Sequence, residues 1–178
     1  MRFLSNIRSL LLGLWLGAAC FFIAVAQSAF AVLPARDLAG AVVGRTLSIL
    51  NYSGVAIGLI LLLTSLVGIR NANKLGVWVE RFLLLILTAA CAVAQFVIGL
   101  MILSIRAQMG RPIDEVAVDD PLRIQFNQLH QYSEWLLMAA MIAALAAFFI
   151  IAARTFVPVA SKTQTTNDPF DFDKPFVK

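Results

Sequence analysis

The chain has 178 residues, of which 61% are hydrophobic and 13% charged, and its mean hydropathy is +0.87. A water-soluble domain is about half apolar and about a quarter charged, so this composition excludes an ordinary soluble fold and specifies a membrane protein. The net charge of +4 does not call for nucleic acid, because the fourteen Lys and Arg residues lie around helix ends and form no basic run.

In lipid the backbone must satisfy its own hydrogen bonds, which an isolated segment does only as a helix, and about 20 apolar residues cross the hydrocarbon. Four runs meet that length, at 9–30, 40–69, 79–106 and 121–153. The breaks are LPARD (33–37), RNANKLG (70–76) and AQMGRPIDEVAVDD (107–120), each joining charge to turn-forming residues. The expected fold is an all-α membrane protein, a four-transmembrane-helix bundle over residues 1–154. The polar tail, residues 155–178, is expected to be disordered and cytoplasmic.

The first run has a rival reading, because MRFLSNIR, the apolar stretch after it and the small residues SAFA (28–31) imitate a secretory signal peptide. Its apolar core is longer than the 7 to 15 residues usual for such a signal, and Gly13 and Gly17 suit helix packing, so a retained span is expected. The second run carries two more pairs of this spacing, Gly40 with Gly44 and Gly54 with Gly58, which point to a compact bundle. Cys20 and Cys91 stand alone in apolar runs and read as small buried hydrophobes.

The fourth run begins with the polar stretch FNQLHQYSEWLLM (126–138), which holds the one histidine of the chain. Wound at 100° per residue, Arg123, Asn127, His130 and Glu134 share a face, and at 1.5 Å per residue the run is about 50 Å long against a core of about 30 Å. Its first third must therefore leave the hydrocarbon or be shielded. At similar depth the other runs supply Gln27, Ser28, Arg45, Asn51 and Arg106. Arg45 lies within a span, where a charge is costly and usually paired, and Glu134 predicts a contact with it. The candidate cluster is thus Arg45, Arg123, Asn127, His130 and Glu134, read as a register-fixing plug, a pocket for a small polar solute, ion or lipid head group, or a metal or haem site on His130 beside Glu134 or Met138. One histidine makes a poor metal site on its own. No cofactor is therefore expected. No HExxH, nucleophile elbow, phosphate-binding glycine loop or CxxC is present, so no catalytic residue is assigned.

Orientation follows from the basic residues. With the N-terminus in the cytoplasm, Arg2, Arg8, Arg70, Lys74, Arg81, Arg154, Lys162, Lys174 and Lys178 lie inside, against Arg36, Arg45, Arg106, Arg111 and Arg123 outside, so both termini are expected to be cytoplasmic.

The stretches GLWLGAACFFIAVAQSAF (13–30), AGAVVGRTLSILNYSGVAIGLILLL (39–63) and DPLRIQFNQLHQYSEWLLM (120–138) resemble the bacterial membrane family built on the domain of unknown function 4149, related to eukaryotic transmembrane protein 205. The resemblance spans most of residues 10–150. It implies a four-helix integral protein of a bacterial cytoplasmic (inner) membrane with no established activity. A more distant likeness to the copper-resistance D proteins and a haem-linked protoporphyrinogen oxidase keeps the metal or haem alternative open, although a single histidine does not fit their ligand sets. The function expected is a non-enzymatic binding or scaffolding role in the lipid bilayer, with a solute transporter as the other alternative and a membrane-protein partner or a second copy left open.

Overall fold

A computed structural model describes residues 2–66 and 74–155; the tail expected after residue 155 and the end of the second run after residue 66 lie outside the described residues. All described elements are helical: α1 (Arg2–Val32), α2 (Arg36–Leu66), α3 (Lys74–Val93), a π-helical turn (Ala94–Ile98), α4 (Gly99–Met109), a short 3-10 turn (Ile113–Glu115) and α5 (Pro121–Thr155). The segment from α3 through α4 is one rod, so four helical stretches are long and apolar enough to cross a membrane. The all-α four-helix expectation holds.

Local chemistry sets the breaks. Pro34 biases Leu33 away from helical angles, which ends α1, and Asp37 places a carboxylate in the first turn of α2, where the helix dipole favours it. α4 stops at Gly110, whose left-handed φ of 62° lets its N–H reach the Arg106 carbonyl at 3.2 Å. α5 starts with Pro121 in its first turn and the Asp120 carboxylate accepting from the Leu122 N–H at 2.8 Å, a cap that fixes where the polar face of α5 begins.

The helices form a ring in which α1 packs on α2 and α5, and α3 packs on α2 and α5. The two ends of the bundle differ. The loop end carries the α1–α2 turn and the α4–α5 connection, and the terminal end carries the start of α1 and the finish of α5. The core between them contains Leu12, Trp15, Leu61, Leu84 and Leu87, closed from one side by the small face of α5, Ala140, Ala143, Ala144 and Ala147. Of the three glycine pairs, Gly54 with Gly58 makes the close approach. A Cβ at Gly54 would lie 2.6 Å from the Cys91 Sγ, and one at Gly58 would strike Thr88, whereas Gly17 and Gly44 face open space. α2 and α3 are therefore held at backbone distance by glycine on one side and Cys91 and Thr88 on the other. Cys91 is buried as expected, and Cys20 is exposed on the outer surface of α1.

At the terminal end, Arg8 of α1 is paired with Glu80 of α3, at 7% and 0% exposure, and Arg8 also donates to the Leu61 carbonyl of α2 at 3.1 Å. Beside this pair Arg81 donates through Nη2 to the Ser65 carbonyl at 2.7 Å and through Nε to its hydroxyl at 3.1 Å. Three helices are thus joined by charge-assisted bonds at the terminal end of the bundle. Removing one member of a buried pair strands the other and costs about 3–5 kcal/mol, whereas replacing both by apolar groups is often nearly neutral. Arg8→Met or Glu80→Leu alone should lower the detergent melting temperature strongly, and the double variant should recover most of the loss. Additive losses in that cycle would mean the two side chains do not share one interaction.

Candidate functional site

The π-helical turn breaks the α3–α4 rod where the packing of the bundle changes. An extra residue in one turn rotates the helix beyond it, and such insertions concentrate at sites of function. Before it, α3 lies closely along α2; after it, α2 and α4 barely touch. The space this leaves at the loop end is a cavity of about 670 Å³ walled by α2, the π turn, α4 and α5, with Phe30 of α1 at its edge.

The charged groups of that cavity are unbalanced. Arg36, Arg45, Arg106 and Arg123 line it, against one carboxylate, Asp114. Asp114 sits 3.7 Å from Arg36, and both side chains are well exposed, so this pair is worth little. The Arg106 guanidinium lies 5.3 Å from the centre of the Phe126 ring, which stacks in turn on His130. Arg123 donates to the Val116 carbonyl and so ties the α4–α5 connection to α5. Arg45 has neither an ion pair nor a side-chain hydrogen bond to any described residue. Gly40 makes room for Arg106, since a Cβ there would stand 2.9 Å from Nη2.

Deeper in the cavity the lining is neutral but still polar, with Ser48, Asn51, Gln95 and Ser133. Asn51 is 3% exposed, and its amide has no hydrogen-bond partner among the described residues. Directly below, the Trp15 indole N–H donates to the Leu50 carbonyl at 3.1 Å, and the ring packs near Gly54. The buried layer of Leu12, Trp15, Leu84 and Leu87 closes the floor, so the cavity is blind toward the terminal end.

Four of the five residues singled out in the sequence, Arg45, Arg123, Asn127 and His130, line this cavity together. Glu134 does not, and the expected Arg45–Glu134 contact is absent. Glu134 lies 3.4 Å from His130 with 63% of its side chain exposed, on the shoulder of α5 next to the buried Ser133 that faces inward. Similar depth placed the two charges at one level, but the azimuth of Glu134 turns it away. Sequence reasoning misses Gln95 and Arg36 as members of the site. The π turn that aims Gln95 inward leaves no mark in the hydropathy pattern, and Arg36 reads as an ordinary helix-flanking charge. It also misses Glu80, because VWVERF reads as the flank of a span that in fact begins five residues earlier than the apolar run suggests. No three His, Cys, Asp or Glu side chains among the described residues gather as a metal-binding group.

These features define a multi-pass membrane protein with a basic, blind cavity at one end of its helix bundle. The chain belongs to the family of the domain of unknown function DUF4149, whose model matches residues 10–111, from within α1 to just past the end of α4. The stretch at 120–138 in α5 lies outside that match. No curated protein and no solved structure matches the chain.

The glycines of α2 report on this geometry. An alanine gains about 1 kcal/mol of helix propensity over glycine where space is free. Gly44→Ala should therefore raise the melting temperature, Gly40→Ala should raise it less because the Arg106 guanidinium must move, and Gly54→Ala should lower it by crowding Cys91 and Trp15. Equal shifts at all three positions would contradict the described fit of α2.

Proposed function

We propose that this protein is a non-enzymatic binding protein of the membrane, and that it holds an anionic group in the loop-end cavity. The observation that carries the reading is the set of four arginines facing one weakly engaged aspartate, with Arg45 unpaired among the described residues. A guanidinium does not give up its proton in a protein, so it cannot escape the cost of an apolar setting by neutralising. That cost reaches about 2.5–3.5 kcal/mol at a helix centre and is smaller for Arg45, the tenth residue of α2, and a bound anion lowers it. Planar guanidinium groups also match the geometry of phosphate and carboxylate oxygens. The closed floor favours binding over passage of a solute, because Trp15 and the leucines below Asn51 leave no polar route toward the terminal end.

The orientation that accompanies this reading places both termini in the cytoplasm, on the count of nine basic residues against five. The membrane is taken as the cytoplasmic membrane of a bacterium, in keeping with the family resemblance, and the likeness to eukaryotic transmembrane protein 205 belongs to the same proposal. The cavity then opens toward the outer leaflet.

A ligand that binds only the folded state raises stability by about 2.7 kcal/mol at one hundred times its dissociation constant. Dodecyl phosphate, doped into a neutral detergent, should raise the melting temperature of the wild-type chain and leave an Arg45→Gln/Arg106→Gln variant unmoved. An equal response in both proteins, or none in either, would sink the anion-binding reading.

A further inference from the structure

The cavity is larger and more varied than a bare anion needs. Liquid water occupies about 30 Å³ per molecule, so a simple oxyanion fills a small part of 670 Å³. The polar groups are also graded with depth. Arg106 sits against Gly40; along α2 from that glycine, Arg45 lies about 7 Å deeper and Asn51 about 16 Å deeper. Gln95, on the rod that carries Arg106, lies eleven residues from it, which again is about 16 Å. Asn51 and Gln95 therefore share the floor. Cationic groups hold the upper levels, and neutral donors and acceptors hold the lowest.

Asn51 makes this floor specific. Asn51 is 3% exposed, lines the cavity and makes no side-chain hydrogen bond to a described residue, so its amide is left for a group inside the cavity to engage. Ser133, 7% exposed, likewise has no side-chain hydrogen bond to a described residue. Such groups complement hydroxyls, which donate and accept at once. The side wall gives the remaining clue. Because α2 and α4 separate beyond the π turn, the cavity is open sideways, and the exposed Leu100 and Leu103 form an apolar edge on the α4 side of that opening. Both leucines lie in the stretch Lys74–Met109, which is long and apolar enough to cross a membrane, so lipid is the neighbour this edge suits.

We infer that the cavity takes the head group of an anionic phospholipid that carries hydroxyl groups, with its phosphate among Arg45, Arg106 and Arg123, its hydroxyls on Asn51, Gln95 and Ser133, and its acyl chains leaving between α2 and α4. This rests on the anion-binding reading and narrows it to one class of ligand. Lateral entry from the leaflet explains why a cationic cavity with a polar floor has a leucine edge. A free phosphate compound would have no use for that edge.

Native mass spectrometry of the full chain in neutral detergent tests this with four probes: phosphatidylglycerol, phosphatidic acid, phosphatidylcholine and glycerol 3-phosphate. The expected result is one phosphatidylglycerol retained per chain, preferred about fivefold over phosphatidic acid, which is the worth of one neutral hydrogen bond, and more strongly over phosphatidylcholine. Asn51→Leu should erase the preference over phosphatidic acid while leaving phosphatidic acid bound. Gly44→Phe, built where a Cβ meets nothing within 4 Å, should expel both lipids, with Gly44→Leu as a milder version if the larger ring impairs folding. Equal retention of phosphatidylglycerol and phosphatidic acid by the wild type would overturn the hydroxyl recognition and leave the anion reading standing. Glycerol 3-phosphate binding as tightly as the lipid would overturn the lipid class alone. Retention unchanged in the Gly44 variants would place the lipid on the outer surface and overturn the inference, and failure of every anionic probe would overturn both readings.

Discussion

A guanidinium group cannot sit in hydrocarbon without a negative or strongly polar partner, and that constraint is met in opposite ways at the two ends of this bundle. At the terminal end the chain supplies its own counter-charge: Arg8 meets Glu80 and the Leu61 carbonyl, and Arg81 meets Ser65. The partners come from α1, α2 and α3, so satisfying the charge also fastens the helices. At the loop end the same chemistry is left incomplete, with four arginines around one aspartate. The proposed binding function rests on this contrast, with the ligand assigned to the end where the chain supplies too few counter-charges.

α2 carries the transition between these ends. Its Gly54 and Gly58 bring it to backbone distance from α3, while Gly40 gives room to the Arg106 side chain of α4 and Gly44 and Arg45 face the cavity. The π turn at Ala94–Ile98 lies between the two regimes and turns Gln95 inward. Tight packing below is what lets the upper part open without loss of register, since Trp15 locks onto the Leu50 carbonyl one residue before the cavity floor begins at Asn51.

Much of this was legible in the sequence, and the parts that were not share a cause. Hydropathy alone marks four spans, because lipid acts on every residue of a helix and the signal sums over about 20 positions. The 100° winding brings Arg123, Asn127 and His130 onto one face of α5, and they do line one cavity. Pairings between helices are less accessible, because they depend on how each helix is rotated about its own axis. Arg45 and Glu134 match in depth and miss in rotation, while Arg8 and Glu80, which read as charges flanking their spans, meet in the core. The local signal for the second pair is an acid within a helix that begins at Lys74, at a distance from the terminal end similar to that of Arg8. Side-chain depth on separate helices can be compared from sequence; rotation needs the packed bundle.

The loop-end arginines are proposed to hold an anion inside the bundle, and anomalous diffraction from crystals soaked in bromide would locate that anion. Bromide is expected to give a peak within the cavity, between Arg45 and Arg106 or Arg123, at contact distance from the guanidinium groups. Bromide peaks confined to outer charges such as Arg111, with none among the cavity arginines, would contradict it.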